Sequence, residues 1–251
     1  MRDLLNETFT RVRKSSAPWI TLIMLLLVSL VEVAALKHVE EKANPQMILA
    51  PFMFMTYLVA FCMSFISRDY TNGTIRNKII LGKSRVSIYF ANYIALTVTM
   101  LLIIAVYSLV TLGIASAVCG MKDMSSTQKD TFIKMYLILI VNVLSFTSVA
   151  TLLGMACQGV SGTVWAYFIY TVSEIVLMLV EMIAYRIFKD KSDKIIEFFM
   201  YFIPSQQYGI LRDSLYDGLP DDAYKLPLYS LILIVLTMAG GIAIFRKKNI
   251  K

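Results

Sequence analysis

Of 251 residues, 58% are hydrophobic and 16% charged, and the mean hydropathy is +0.68, whereas a soluble domain runs at about 45–50% apolar and about 25% charged. That much apolar surface cannot be hidden in one water-soluble core, and the scarcity of glycine (11) and proline (6) excludes a disordered or collagen-like chain. The composition is that of a membrane protein, and the net charge of +7 is read by its position along the chain, with no nucleic-acid partner expected.

Segment 1–18 places Leu4, Leu5, Thr8, Phe9 and Val12 at helical spacing among charged residues. It reads as a short cationic amphipathic helix lying in the headgroup plane. No small-residue cleavage site follows the first apolar run, so the segment is expected to be retained. Cys62, Cys119 and Cys157 form no CxxC pair, and with a single histidine no metal-ligand spacing is present.

A bilayer core about 30 Å thick needs about 20 apolar helical residues. Six stretches qualify: 19–36, 48–66, 88–118, 132–156, 164–185 and 226–245. The expected fold is therefore an all-α integral membrane protein, one transmembrane domain over 1–251 with six spans. The third stretch, at 31 residues, must tilt or emerge from the bilayer. Lys and Arg number 13 on the side of the termini and 11 on the other, but six of those 11 lie in one 40-residue loop. Among short segments the contrast is 13 against 5, which places both termini in the cytoplasm.

The most informative stretch is the polar loop from Arg68-Asp69 to Arg85. Asn72 or Thr74 can cap a helix of about two turns, Gly82 can end it, and Ser84 can cap the third span. Ile75, Ile79 and Ile80 are expected on one face, with Arg76 and Lys78 pointing elsewhere. A helix apolar on one side and basic on another suits a groove in a partner protein. Gly82-Lys83-Ser84 is not a phosphate-binding loop, because Asn77 stands where that motif requires glycine.

The run Arg-Asp-Tyr-Thr-Asn-Gly-Thr-Ile-Arg-Asn-Lys-Ile-Ile-x-Gly-Lys-Ser-Arg resembles the loop between spans two and three of ABC-2 type transporter permeases. It is similar above all to bacterial peptide, bacitracin and lantibiotic self-protection exporters and to multidrug exporters, with Arg68-Asp69 where the family often has glutamate. The resemblance implies an N-terminal elbow helix and a permease that pairs with an identical or paralogous second permease. It also implies separate ABC ATPase subunits, which hold the ATP and Mg, with no cofactor in this chain. The loop helix, about Gly73–Arg85, would be the coupling helix, with Arg68, Asp69, Gly73, Thr74, Ile75, Arg76, Asn77, Lys78, Ile79, Gly82, Ser84 and Arg85 as its coupling residues. Location in a bacterial cell membrane, and export of an amphipathic peptide, antibiotic or drug (hence antibiotic resistance), are further implications.

Within the spans, Glu32 lies toward the outer end of the first, where it can reach the interface. Tyr167, Tyr170, Glu174, Met178, Glu181 and Tyr185 fall on one face of the fifth span over about 27 Å, at 1.5 Å per residue. Either this stripe lines a translocation path whose carboxylates attract a cationic substrate, or Glu174 sits protonated or hydrogen-bonded in a helix seam. In the fourth span Asn142, Ser145, Ser148 and Thr151 share a face, with Ala150 and Gly154 allowing close approach, and read as interhelical glue. External segment 186–225 should carry two short apolar helices that dip into the outer leaflet or roof the cavity, and the resemblance to ABC-2 permeases implies that they are re-entrant. The first is Ile195–Ile203 and the second runs from Pro204 to about Tyr216, capped by Ser205; a turn at 217–222 follows.

No enzymatic activity is expected of the chain itself, ATP hydrolysis belonging to a partner. The alternatives are a secondary transporter, marked by transport without ATP, and an integral-membrane enzyme using Glu174 and Glu181 with a partner group.

Overall fold

The computed structural model describes residues 1–38, 52–120, 125–157, 159–188, 200–217 and 219–248, with the side chains of 36, 52–57, 127–128, 212–213, 215–217 and several over 173–188 excepted. Among the described residues there are nine named helices and no strand: α1 Arg2–Lys14, α2 Ser16–His38, α3 Phe52–Thr71, α4 Thr74–Ile80, α5 Arg85–Cys119, α6 Ser126–Cys157, α7 Val160–Phe188, α8 Pro204–Asp217 and α9 Lys225–Lys247. Among the described residues, four stretches are long and apolar enough to cross a membrane: Ser16–Ala35, Arg85–Cys119, Lys129–Cys157 and Lys225–Lys247. Such helices are compatible with a multi-pass membrane protein. The expected spans 48–66 and 164–185 fall on α3 and α7, with 48–51 outside the described residues.

One core runs from Leu4 and Val12 of α1 through Leu58, Ile66, Ile88, Tyr107 and Phe146 to Phe245 of α9. α6 is its axis, packed against α9, α3 and α5, while α2 lies along α5. Outward, α2 exposes Trp19, Ile20, Ile23, Met24 and Leu27, spaced so that they share one helix face. Lipid contact explains such a face better than water does.

The polar stripe of α6 holds helices together, as its spacing predicts. Asn142, Ser145, Ser148 and Thr151 are all fully buried. The Thr237 hydroxyl of α9 lies 2.8 Å from that of Ser148, and Gly154 seats Ile66 of α3 so closely that a Cβ would stand 3.0 Å from its Cδ1. Asn142 Nδ2 donates to the Pro204 carbonyl at 2.9 Å and to Gln207 Oε1 at 3.0 Å. Ser230 of α9 donates to the same Gln207 oxygen at 2.5 Å. Three helices therefore meet at one buried amide.

Two local expectations change around α8. Ser205 is not its cap: Pro204 opens the helix, and the Ile203 carbonyl already accepts from Gln207 N–H at 3.0 Å. Proline fits that first helical position because it has no N–H to satisfy there. Most of Ile195–Ile203 lies outside the described residues. The following turn is present, with Ala223 N–H donating to the Pro220 carbonyl at 2.9 Å.

The buried residues of α1, Leu4, Thr8 and Val12, turn onto the protein, chiefly α5.

Candidate functional site

Gly73 opens the loop helix in the left-handed conformation, φ 65°, with no side-chain cap, so neither Asn72 nor Thr74 caps it. The helix stops at Ile80, short of the Arg85 end expected from sequence, and Gly82 is the reason. At φ +77° its N–H donates to the Ile79 carbonyl at 2.9 Å, and Lys83 N–H reaches back to Lys78 at 3.1 Å. This is a Schellman close, which a β-carbon-bearing residue enters only with strain. Ser84 then caps α5 as expected, its Oγ accepting from Ser87 N–H at 3.1 Å.

The inward face of α4 is Ile75, Lys78 and Ile79, not the expected trio of isoleucines. Ile75 is fully buried and Ile79 half-buried against the core, while Ile80 is 71% exposed. Helical geometry explains the change: residues three and four steps on share the face of Ile75, and Ile80, five steps on, leaves it. Lys78, expected to point away, is only 3% exposed. Its Nζ lies 3.4 Å from Glu7 Oε1 and 3.5 Å from the Thr8 hydroxyl.

Asp69, 4% exposed, closes the same cluster from the end of α3 by accepting a hydrogen bond and ion pair from Arg11 Nη1. Arg11 Nε lies 3.5 Å from Glu7 Oε1, and its guanidinium stands over the Phe65 ring at 5.6 Å. Burial pushes the Asp69 carboxyl above its ordinary range, with the Arg11 charge opposing. Burial likewise lowers Lys78, and Arg11 adds to that shift while Glu7 and Asp69 resist it.

Arg85 also faces the protein. Its Nη1 donates to the carbonyls of Phe245, Arg246 and Lys248 at 2.8, 3.0 and 2.6 Å, satisfying the C-terminal end of α9. Lys248 Nζ donates to the Ala156 carbonyl at the end of α6, and the Tyr70 hydroxyl donates to that of Met155 at 3.0 Å. The start of α5 and the ends of α3, α6 and α9 thus gather with α1 around the loop.

What remains outward is a small two-part surface. Arg68, Arg76, Asn77, Gly82 and Ser84 are exposed, Gly73 and Thr74 half-buried, and at the tip Ile80 and Leu81 are 71% and 76% exposed. Sequence reasoning missed Leu81 as part of it, and missed Glu7, Thr8 and Arg11 as partners of the loop. The sequence signal for the last three was present: an acid and a base four residues apart flanking a threonine within an apolar stripe.

The stripe of 167–185 lies on α7, a different element. Tyr167 and Tyr170 pack half-buried against the core. The side chains of Glu174, Met178 and Glu181 lie outside the described residues. Glu32 accepts a hydrogen bond from Tyr107 of α5 at 2.9 Å. Among the described residues no three His, Cys, Asp or Glu side chains converge as metal ligands.

A helical chain with several membrane-length apolar helices and a charged, partly apolar loop at one end is the class of protein that fold and site define. The chain belongs to the family described as protein of unknown function DUF2705, whose pattern matches residues 24–251, a range that holds the loop and most of α2 through α9. No curated protein matches it.

Proposed function

We propose that the chain is the membrane-spanning permease subunit of an ATP-driven exporter of ABC-2 type, paired with a second permease and driven by separate ATPase subunits. In this reading α2, α3, α5, α6, α7 and α9 are six spans, α1 is the elbow helix, α8 is re-entrant, and the loop end with both termini is cytoplasmic. The cargo is an amphipathic peptide, antibiotic or drug, moved out of a bacterial cell.

The observation that carries the reading is the two-sidedness of α4. Its outer side offers a basic and apolar tip, Arg76 with Ile80 and Leu81, suited to a groove in a partner. Its inner side is joined by Lys78 to α1, and the residues flanking it are joined by Asp69 to α1 and by Arg85 to α9. Displacement of the tip by a closing ATPase is thereby passed to several spans at once. For that to drive alternation, the ATPase binds the inward- and outward-open states with different free energies.

The test is affinity purification of the tagged chain from its own host in mild detergent, followed by an ATPase assay, alongside the double variant Arg76→Asp, Leu81→Asp. A stoichiometric ATPase with the wild type, lost from the variant, is the expected result. A chain that purifies alone overturns the proposal, and uptake or efflux that persists without ATP would establish a secondary transporter instead.

A further inference from the structure

At the junction of α1 and α2, charge and apolar surface meet on the outside of the protein. Ser15 alone separates the two helices, in extended conformation at φ −73° and ψ 141°. Just before it, Arg13 and Lys14 are exposed, and among the described residues neither joins an ion pair. The nearest acid along the chain, Glu7, faces Arg11 and Lys78 instead, and Asp69 pairs with Arg11.

Basic residues in the last turn of a helix ordinarily serve its carbonyl end. Here that end is already served. Ser15 N–H donates to the Arg11 and Val12 carbonyls at 3.0 and 3.1 Å, and the Trp19 indole N–H donates to the Arg13 carbonyl at 3.1 Å. Arg13 and Lys14 are therefore available to a charge from outside the protein.

The same indole ties these cations to an apolar face. Trp19 makes its bond while 55% exposed, and Ile20, Ile23, Met24, Leu27 and Val31 continue one exposed side of α2. Trp19 to Val31 is a rise of about 18 Å at 1.5 Å per residue, and one leaflet of hydrocarbon is about 15 Å deep. With this face in hydrocarbon, Arg13 and Lys14 stand at the headgroup layer.

One class of molecule matches both parts, a phospholipid of net negative charge, with its phosphate on the cations and its chains along α2. A zwitterionic lipid offers the chains but brings its own ammonium to the same cations. A soluble phosphate offers the charge without the chains.

We propose that the α1–α2 junction is a binding site for an anionic phospholipid, held by Arg13, Lys14 and the ring of Trp19. The site requires α2 to lie in a membrane and stands whether or not an ATPase partner exists.

The test titrates the full chain in neutral detergent with phosphatidylglycerol or phosphatidylcholine of the same acyl chains, bound lipid being read by native mass spectrometry. The first phosphatidylglycerol should bind about tenfold tighter than phosphatidylcholine, as two surface cations allow. The double variant Arg13→Gln, Lys14→Gln should lose that preference. Arg246→Gln, Lys247→Gln removes the same charge from two exposed cations at the end of α9 and should keep it. Glycerol phosphate in large excess should not displace the lipid, since it lacks the chains. Equal binding of the two lipids, or equal loss in both double variants, overturns the proposal and leaves only the general attraction of a basic end. Displacement by glycerol phosphate overturns it in favour of a site for soluble phosphate. A second readout locates the lipid. With Trp165→Phe, Trp19 is the single tryptophan of the chain, and phosphatidylglycerol brominated in its acyl chains should quench it more than brominated phosphatidylcholine does. Equal quenching overturns the proposal.

Discussion

The two polar regions of this molecule are built from different chemistry. Around the loop, α1 is held by charges: Arg11 on Asp69, and Lys78 near Glu7, while Arg85 clamps two carbonyls of α9 and that of Lys248 just past its end. Deeper in the bundle, α6, α8 and α9 are held by a neutral amide network of Asn142, Gln207 and Ser230. Asn142 and Ser230 stand about 22 Å and about 25 Å from the loop ends of their helices, at 1.5 Å per residue. Ions are costly to desolvate, whereas neutral amides carry no charge and can join apolar helices at less cost. The difference also predicts how each region breaks, since removing one buried ion strands another, while removing an amide strands only weak donors and acceptors.

Asp69→Ala should be the most damaging change, costing about 3 kcal/mol because Arg11 loses its buried counter-charge and keeps only Glu7, which is 43% exposed at its side chain. Thermal unfolding in mild detergent measures it, and a shift no larger than that of a surface substitution would erase the contrast between the regions. Arg85→Ala should cost about 1.5 kcal/mol, through carbonyls at the end of α9 left without a donor, and protease cleavage near residue 248 should rise with it. Gln207→Ala should cost about 1 kcal/mol, since hydrogen bonds between membrane helices average about 0.6 kcal/mol each. A loss exceeding that of Asp69→Ala would reverse the ranking.

The smallest effect sharpens the comparison most. Lys78→Met keeps the stem and removes a buried ammonium whose partner Glu7 is 43% exposed at its side chain, so stability should change by less than about 1 kcal/mol in either direction. Its signature is in the pH profile. Burial holds Asp69 above its ordinary 3.8, so between 3.8 and that raised value the folded state keeps a proton the unfolded chain has lost, and stability falls as pH rises. Burial holds Lys78 below 10.5, so between the lowered value and 10.5 the folded state has lost a proton the unfolded chain keeps, and stability rises with pH. Asp69→Asn should flatten the acid arm and Lys78→Met the alkaline arm. Unfolding midpoints across pH that keep both arms in both variants would show that other groups set the profile.

Much of the architecture was legible in the residues. Long apolar runs announced α2, α5, α6 and α9, because a helix in hydrocarbon needs length and apolar composition, both local properties. Gly82 and Ser84 announced the end of α4 and the start of α5, because turn and cap chemistry acts over three or four residues. The stripe on α6 was also legible, since four polar side chains on one face of an apolar helix must find partners somewhere.

Which partners they find is a different matter. From the sequence, Lys78 looked like an outward cation and Arg85 like a residue of the loop's outer face. The tertiary structure turned both inward, onto Glu7 and the carbonyls at the end of α9. The sequence by itself determined where helices run, where they stop and which faces are apolar, because those follow from neighbours along the chain. Only the tertiary structure decided which polar groups meet, because Arg11 meets Asp69, Lys78 meets Thr8, Glu32 meets Tyr107 and Arg85 meets Lys248 across 58 to 163 positions, and no local periodicity records such a pairing.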